Sequence, residues 1–533
     1  MFSETHLAAN LAALERAQGH VPVLRSIDQA TTRAVPDARY GLTLELRADN
    51  GDWTPLDGAA PEEAALAALP DAEPAHIVAA GLGLGFVVDA IERRRWRTGV
   101  VAIETDPGVA MLFLARRDWT GWFDSGRLRL LVGPGFSGAT ACAAAIDGRQ
   151  APPILVHPTL AALRPHESAA AVAVARRLVD GAAANAEARR KFAGRYLLQT
   201  LANVPAIARA ADVRALGDAF PGVPAVVVAA GPSLDDNLPG LRRYRDRAVV
   251  IAADTALRPL TAAGMPPDVV VAVDPSELNA RHVTGVGAAG GVCLAAEGSV
   301  HPSALEAFRG RTFVFRVSDH EPWPWLRRFG VDCAVLRAWG SVAITAFDLA
   351  RRLGCDPIVF AGQDLAFTGG RPYCSHTLYD ELWTAMIRDH GCTWPQLMNE
   401  YFSRQSLVIA ADLNGQAART TPSLIAFRDA LVEQAAASGR TVVNATGAGI
   451  FGGTGVALRS LDSVFGTRPA VRDVAARLRR ALGAGAMHPQ PLRDEPGLSA
   501  RFQEFTGGTL DASAIRAALE ALLSDQMVSH ESA

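Results

Sequence analysis

Residues 225–241 read AVVVAAGPSLDDNLPGL, a run of small and β-branched apolar residues that breaks into Gly231-Pro232-Ser233 and two acids. Such an unbroken apolar run is expected of a strand covered on both faces by helices. Gly231 permits a close turn, Pro232 fixes φ at a helix entry, and Ser233 has the chemistry of an N-cap. Asp235 and Asp236 then fall in the first helical turn, where the helix dipole favours negative charge. A strand end followed by a helix N-terminus presents backbone N–H groups to a phosphate or another anion. No Gly-Lys-Ser/Thr follows, and the single lysine, Lys191, lies far upstream. The turn is therefore not built around a γ-phosphate.

The same rhythm continues downstream through AVVIAAD, PDVVVAVD, GVCLAAEG, RTFVFRV, CAVLR and PIVFAGQD, with TVVNATG adding a further strand. In a parallel sheet, ligands sit outside the carboxyl ends of the strands. Those ends carry Asp254, Asp274, Glu297 with His301, and Gly362-Gln363-Asp364. Gly340-Ser341 opens another helix, giving a second hydroxyl-bearing helix start on the same rim. Several acids and two such helix starts together read as a nucleotide site.

Upstream, residues 75–160 repeat the βαβ pattern. Gly81, Gly83 and Gly85 follow a strand, and Glu104 and Asp106 close the next one. Glycines let a backbone approach a nucleoside, and an acid about 20 residues on can take ribose hydroxyls. The alternative is close packing of a helix on a sheet. Residues 167–216, rich in Ala and Arg, read as two or three helices. The expected architecture is α/β: two Rossmann-like parallel-sheet domains joined by a helical segment, with a helical C-terminal region. Its boundaries are 1–160, 161–218, 219–465 and 466–533.

The bulk numbers agree. A chain of 533 residues with 49% apolar and 20% charged residues suits roughly three domains of ~150 residues. A net charge of −3 argues against a dedicated nucleic-acid or polybasic membrane surface. Six scattered cysteines fit free thiols in a reducing compartment. The start has no secretory pattern, and no apolar run reaches the ~18 residues of a membrane span. A soluble cytoplasmic protein is expected.

Three stretches then carry a resemblance. AAGPSLDDNLPGLRRYRDRAVVIAADTALRPLTAAGMPPDVVVAVDP, WGSVAITAFDLARRLGCDPIVFAGQDLAFTGGRPY and VVNATGAGIFGG together resemble the motility-associated factor (Maf) flagellin glycosyltransferases over roughly residues 220–455. The resemblance implies transfer of a nonulosonic acid, of pseudaminic or legionaminic type, from its CMP-activated form to Ser/Thr of flagellin, in support of motility. The central domain is also similar to bacterial sialyltransferases that use CMP-sialic acid. That similarity puts Gly231, Pro232 and Ser233 against the CMP, Asp254 and Asp364 near the ribose, and Ser341 near the nucleotide. Asp274, Gly340, Gly362 and Gln363 complete the expected donor site. Tyr373 takes the place of one of two tyrosines that meet the leaving phosphate, while Ala366 and Phe367 stand near the other's position. His376 is the candidate general base, with His390 as the alternative.

A monophosphate leaving group does not require a metal, so no cofactor is expected beyond the CMP-sugar donor. Flagellin is the expected acceptor. Cys374, His376, His390 and Cys392 form a C-x-H…H-x-C pattern whose one-residue gaps suit tetrahedral zinc poorly. Archaeal hydroxymethylpterin diphosphokinases share the Gly-Pro-Ser-Leu domain, but Asp274 and Glu277 stand at a spacing different from that family's acidic stretch. The non-enzymatic alternative is a flagellin-binding chaperone. Trp323 and Trp325 are read as packing residues rather than a stacking lid.

Overall fold

The structure is a computed structural model describing residues 3–485 except 19–21, 23, 38, 134–141, 143–145, 147, 149, 287–290, 320–321 and 329–330. The Pro/Gly-rich break at 487–497 and the polar tail lie outside the described residues. The chain divides into two compact units, Met1–Phe192 and Ala193–Ala533.

The first unit holds β1 (Thr32–Asp37), β2 (Gly41–Arg47), β3 (Trp53–Pro55), β4 (His76–Ala80), β5 (Gly99–Glu104), β6 (Leu128–Val132) and β7 (Ile154–Val156). β4–β7 form a parallel sheet in the order β6-β5-β4-β7. β1–β3 form a separate antiparallel meander. That meander departs from the purely parallel reading of residues 1–160. Its strands have one solvated face and lack the continuous apolar runs that reveal buried strands. Where composition suggests two or three helices, a single 43-residue helix, Pro165–Ile207, runs past the boundary between the units. Its alanines supply no break.

The second unit adds β8 (Ala211–Asp212), β9 (Ala225–Val228), β10 (Val249–Ala253), β11 (Val269–Ala272), β12 (Cys293–Glu297), β13 (Thr312–Phe315), β14 (Ile358–Ala361), β15 (Val408–Ala411), β16 (Ala417–Thr420), β17 (Val442–Asn444) and β18 (Val456–Leu458). Nine of these form one all-parallel sheet, β18-β17-β14-β9-β10-β11-β12-β13-β8. Residues 333–337, read as a strand, make one isolated bridge, Arg316 to Val335.

The period-2 alternation divides each central strand between two cores. Val227, Ile251 and Phe360 pack with the helices Val342–Arg352 and Pro422–Ala437. Val226, Val250 and Val359 pack with the helices Leu234–Arg243 and Leu461–Phe465. This is a three-layer αβα sandwich.

The order of the strands places the site. From β9 the chain runs outward through β10 to β13, then returns to β14 on the other side of β9. Helices leaving adjacent strands β9 and β14 in opposite directions open a crevice at their carboxyl ends, the switch point where such sheets bind ligands.

Candidate nucleotide site

The turn after β9 is locked to the turn after β14. The Gly231 amide donates to the Gly362 carbonyl at 2.9 Å. Ser233 donates to Asp364 Oδ2 from its hydroxyl at 2.6 Å and from its amide at 3.3 Å. Ser233 therefore does not cap its helix through the side chain, which corrects the N-cap reading. The group that meets the Ser233 amide and hydroxyl at this turn is the chain's own carboxylate, Asp364.

Glycines make the clasp possible. A Cβ on Gly231 would fall against Asp364 Oδ2 and 2.9 Å from its Cγ; one on Gly449 would meet the Asp364 backbone. The Asn-Ala-Thr-Gly segment supports it: Thr446 Oγ1 accepts from the Gln363 amide at 3.0 Å. Asn237 Oδ1 accepts from the Gly362 amide at 2.9 Å. Leu365, next to Asp364, has φ +53°, and such strain in a non-glycine residue concentrates at ligand clamps.

In front of this clasp lies a cavity of about 600 Å³, lined by Gly231, Asp254, Gly340, Ser341, Gly362, Gln363, Asp364 and Tyr373. It falls in the size range of small-molecule sites. Of the two helix starts expected to share one rim, Gly340-Ser341 lines it, while the other reaches it only through Gly231, the turn residue before it. Of the other expected residues, Pro232 and Ser233 sit behind the wall and do not line it. Asp274 is exposed and accepts from the Ser276 amide, and His376 is exposed on a turn with φ +63°. His390 is exposed at the end of the helix Leu378–His390. Among the described residues no histidine lines the cavity.

The sequence reading missed one wall. Tyr401, Arg404, Gln405 and Ser406 line the cavity, as do Thr421–Leu424 at the start of the helix Pro422–Ala437 and Phe427 within it. Gly340, at φ +68°, is required because a Cβ there would meet the Phe427 ring, so the two helix starts abut. Sequence gave one cue to this wall: Thr421-Pro422 is a capping pair.

The walls differ in chemistry. Helix N-termini and Arg404 offer donors to an anion. Asp254 Oδ2, Gln363 Oε1 and Asp364 Oδ1 are buried and find no hydrogen-bond partner among the described residues. These acceptors suit the hydroxyls or amine of a bound nucleoside or sugar. Burial raises the Asp254 carboxyl to about 7, against hydrogen bonds from Thr255. Burial also raises Asp364, while its bonds from Ser233 pull it back.

Tyr373 is held by a strap. Ser375 donates to Asp235 Oδ2 at 2.8 Å, and the Cys374 amide donates to the Ala230 carbonyl at 3.0 Å. Its ring stacks on Tyr379 at 4.7 Å. Burial, with Tyr379, Tyr401 and Asp254 nearby, raises its phenol far above the ordinary value, so it stays a protonated donor. Among the described residues no three His, Cys, Asp or Glu side chains gather as a metal site. Trp323 is buried in the core against Gly298; the Trp325 side chain lies outside the described residues.

The first glycine turn is filled from within. Glu104 accepts from the amides of Leu82, Gly83 and Asp106 at 3.0, 3.2 and 3.0 Å. Asp57 accepts from the Leu84 amide at 3.3 Å, with His157 at 3.3 Å from its carboxylate. Close packing is what this turn serves here.

No helix among the described residues is long and apolar enough to cross a membrane. No curated protein matches the chain. The chain is similar over 93% of its length, at 16% identity and TM-score 0.47, to the solved structure of a MAf glycosyltransferase from Magnetospirillum magneticum AMB-1, of which it covers 81%. Residues 198–370, from the end of the long helix to the strap before Tyr373, match the family described as 6-hydroxymethylpterin diphosphokinase MptE-like.

Proposed function

We propose that this protein is a glycosyltransferase that moves a nonulosonic acid from its CMP-activated form to Ser/Thr of flagellin. The observation that carries the reading is the cavity at the β9/β14 switch point, with anion donors on one wall and unpartnered acceptors on another. The three quoted motifs support it, since each supplies part of the clasp or lining. The donor's phosphate would lie at the start of the helix Val342–Arg352, with ribose and sugar hydroxyls toward Gln363 and Asp364. Tyr373 would donate a hydrogen bond to the departing phosphate, a donor aimed at the charge that develops there. Incubation with flagellin and CMP-nonulosonic acids, read by intact mass, tests the reading. Flagellin gaining one or more glycosyl masses supports it, and unchanged flagellin with intact donor refutes it.

Charge on the leaving CMP is offset here by helix N-termini, Arg404 and phenols. Turnover is therefore expected to persist in EDTA. Loss in chelator, restored by Mg²⁺, would contradict this neutralisation. Arg404 is largely exposed, so its contribution is modest. Arg404→Ala is expected to raise KM for the donor about 3- to 10-fold and to flatten the salt dependence of KM. An unchanged KM and salt slope would remove Arg404 from the site.

The match over residues 198–370 favours a second reading, diphosphate transfer from ATP to a hydroxymethylpterin. Protection of the fold by ATP with Mg²⁺, and none by CMP, would select it.

A further inference from the structure

The cavity contains a base that the motif comparison did not supply. Acceptor activation requires a group that can take a proton and that faces the reacting atoms. His376 and His390 are exposed and off the wall. Among the lining residues the candidates are two carboxylates, Asp254 and Asp364, and two phenols, Tyr373 and Tyr401. Burial raises both phenols, keeping them protonated. Asp364 also leaves Oδ1 without a partner among the described residues, but its Oδ2 takes the amide and hydroxyl of Ser233 and so ties the turn after β14 to the turn after β9.

Asp254 joins no other turn: its carboxylate is held through one oxygen, by its own neighbour Thr255. Its Oδ1 accepts from the Thr255 amide at 2.7 Å and from the Thr255 hydroxyl at 3.1 Å. That pair fixes the carboxylate's orientation and leaves Oδ2 buried without a partner among the described residues. The residue is 2% exposed and lies on the cavity wall.

Resting on the reading under Proposed function, we infer that Asp254 is the general base, its Oδ2 taking the proton of the acceptor hydroxyl. In the step, the acceptor oxygen bonds to the anomeric carbon as the bond from that carbon to the phosphate oxygen breaks. The bonding electrons leave with CMP, and the hydroxyl proton passes to Asp254 and then to water. Burial raises the Asp254 carboxyl to about 7, and a base is most effective when it titrates near the operating pH. The charged or titratable groups that interact with it are Asp274, in the loop after β11, and Tyr373 and Tyr379 from the strap and its helix. His282, on the helix Glu277–Val283 beside the Asp254 turn, is held neutral by burial near Arg258 and Arg281. None of these places a cation against Oδ2.

The test measures CMP release from a CMP-nonulosonic acid, with flagellin, from pH 5 to 9, alongside CMP binding by calorimetry. In wild type, kcat/KM falls about tenfold per pH unit below about 7. Asp254→Asn lowers kcat/KM by ~10²–10⁴-fold and removes that acid limb, while CMP affinity changes less than about 3-fold. Asp254→Glu restores part of the rate. The inference is overturned if Asp254→Asn keeps the limb, if CMP affinity falls in step with the rate, or if Asp364→Asn removes the limb instead. Wild type that neither binds CMP nor releases it would instead overturn the reading on which the inference rests.

Discussion

Gly231→Ala is expected to cost about 2–6 kcal/mol of stability and to abolish donor turnover. The added methyl would fall against Asp364 Oδ2 and 2.9 Å from its Cγ, with the Gly362 carbonyl on the same side. Overpacking of this kind costs ~1–3 kcal/mol. Displacing Asp364 also breaks its bonds from the Ser233 hydroxyl and amide, and a buried polar group left unpaired costs ~1–3 kcal/mol more. Neither clashing group can retreat cheaply. Gly449 closes the space behind Asp364, and the Gly362 carbonyl is tied to the Gly231 amide. The same movement shifts Gln363 and Asp364 in the cavity wall, so binding is lost along with stability. The double variant Gly231→Ala/Asp364→Gly should lose less stability than the sum of its singles, because the carboxylate is the principal obstacle. Denaturant midpoints for the four proteins decide this. Additive losses, or a Gly231→Ala protein with wild-type stability, would show that the clasp is not what holds β9 to β14.

The second large effect is a fall in stability as pH rises. Asp254 and Glu297 are 2% and 4% exposed. Burial raises them from 3.8 and 4.5 to about 7 each, with hydrogen bonds from Thr255 and Ser299 in opposition. Below about 4 both are neutral in the folded and the unfolded chain. Between there and about 7 the unfolded chain ionises while the folded one keeps its protons. Their contribution is thus fully present below the unfolded values and is lost as pH rises through the folded ones. At ~1.4 kcal/mol per pH unit the loss approaches about 4 kcal/mol for Asp254 and about 3 kcal/mol for Glu297. Wild type should therefore unfold at lower denaturant at pH 8 than at pH 5. The variant Asp254→Asn/Glu297→Gln should show a much smaller difference. An equal pH dependence in both proteins would mean that these carboxyls ionise as freely in the fold as outside it.

The sheet was legible because its strands are covered on both faces. AVVV, VVIAA and IVFA have no polar position, a pattern that few alternatives can bury. Residues 32–55 were not legible for the opposite reason, since half-solvated antiparallel strands mix polar and apolar side chains. In the site, Gly231, Asp254, Ser341 and Asp364 were found because strand ends and helix starts are local signals. What the turn holds was misread. Asp364, which fills it, lies 131 residues beyond Ser233, and a one-dimensional pattern does not reveal which carboxylate closes on a glycine turn. The same holds for Glu104 in the first unit, whose strand-end position suits a ribose while its oxygens serve its own loop. Arg404 and Thr421–Leu424 reach the cavity through the packing of the segment between β14 and β17. His376 has a base's chemistry at a plausible distance along the chain, but its turn points it to solvent.

The central claim is that one cavity, between the clasp and the starts of the helices Val342–Arg352 and Pro422–Ala437, holds a cytidine monophosphate. Unfolding midpoints measured with increasing CMP, for wild type and for Ser341→Phe, test it most directly. Ser341 lines the cavity and its side chain makes no cap hydrogen bond to the helix it precedes, so a phenyl ring there is expected to fill the space at little cost to the fold. Wild type should gain about 2.7 kcal/mol at one hundred times its Kd, and Ser341→Phe should gain nothing. A gain of equal size in both proteins, or in neither, would contradict the account.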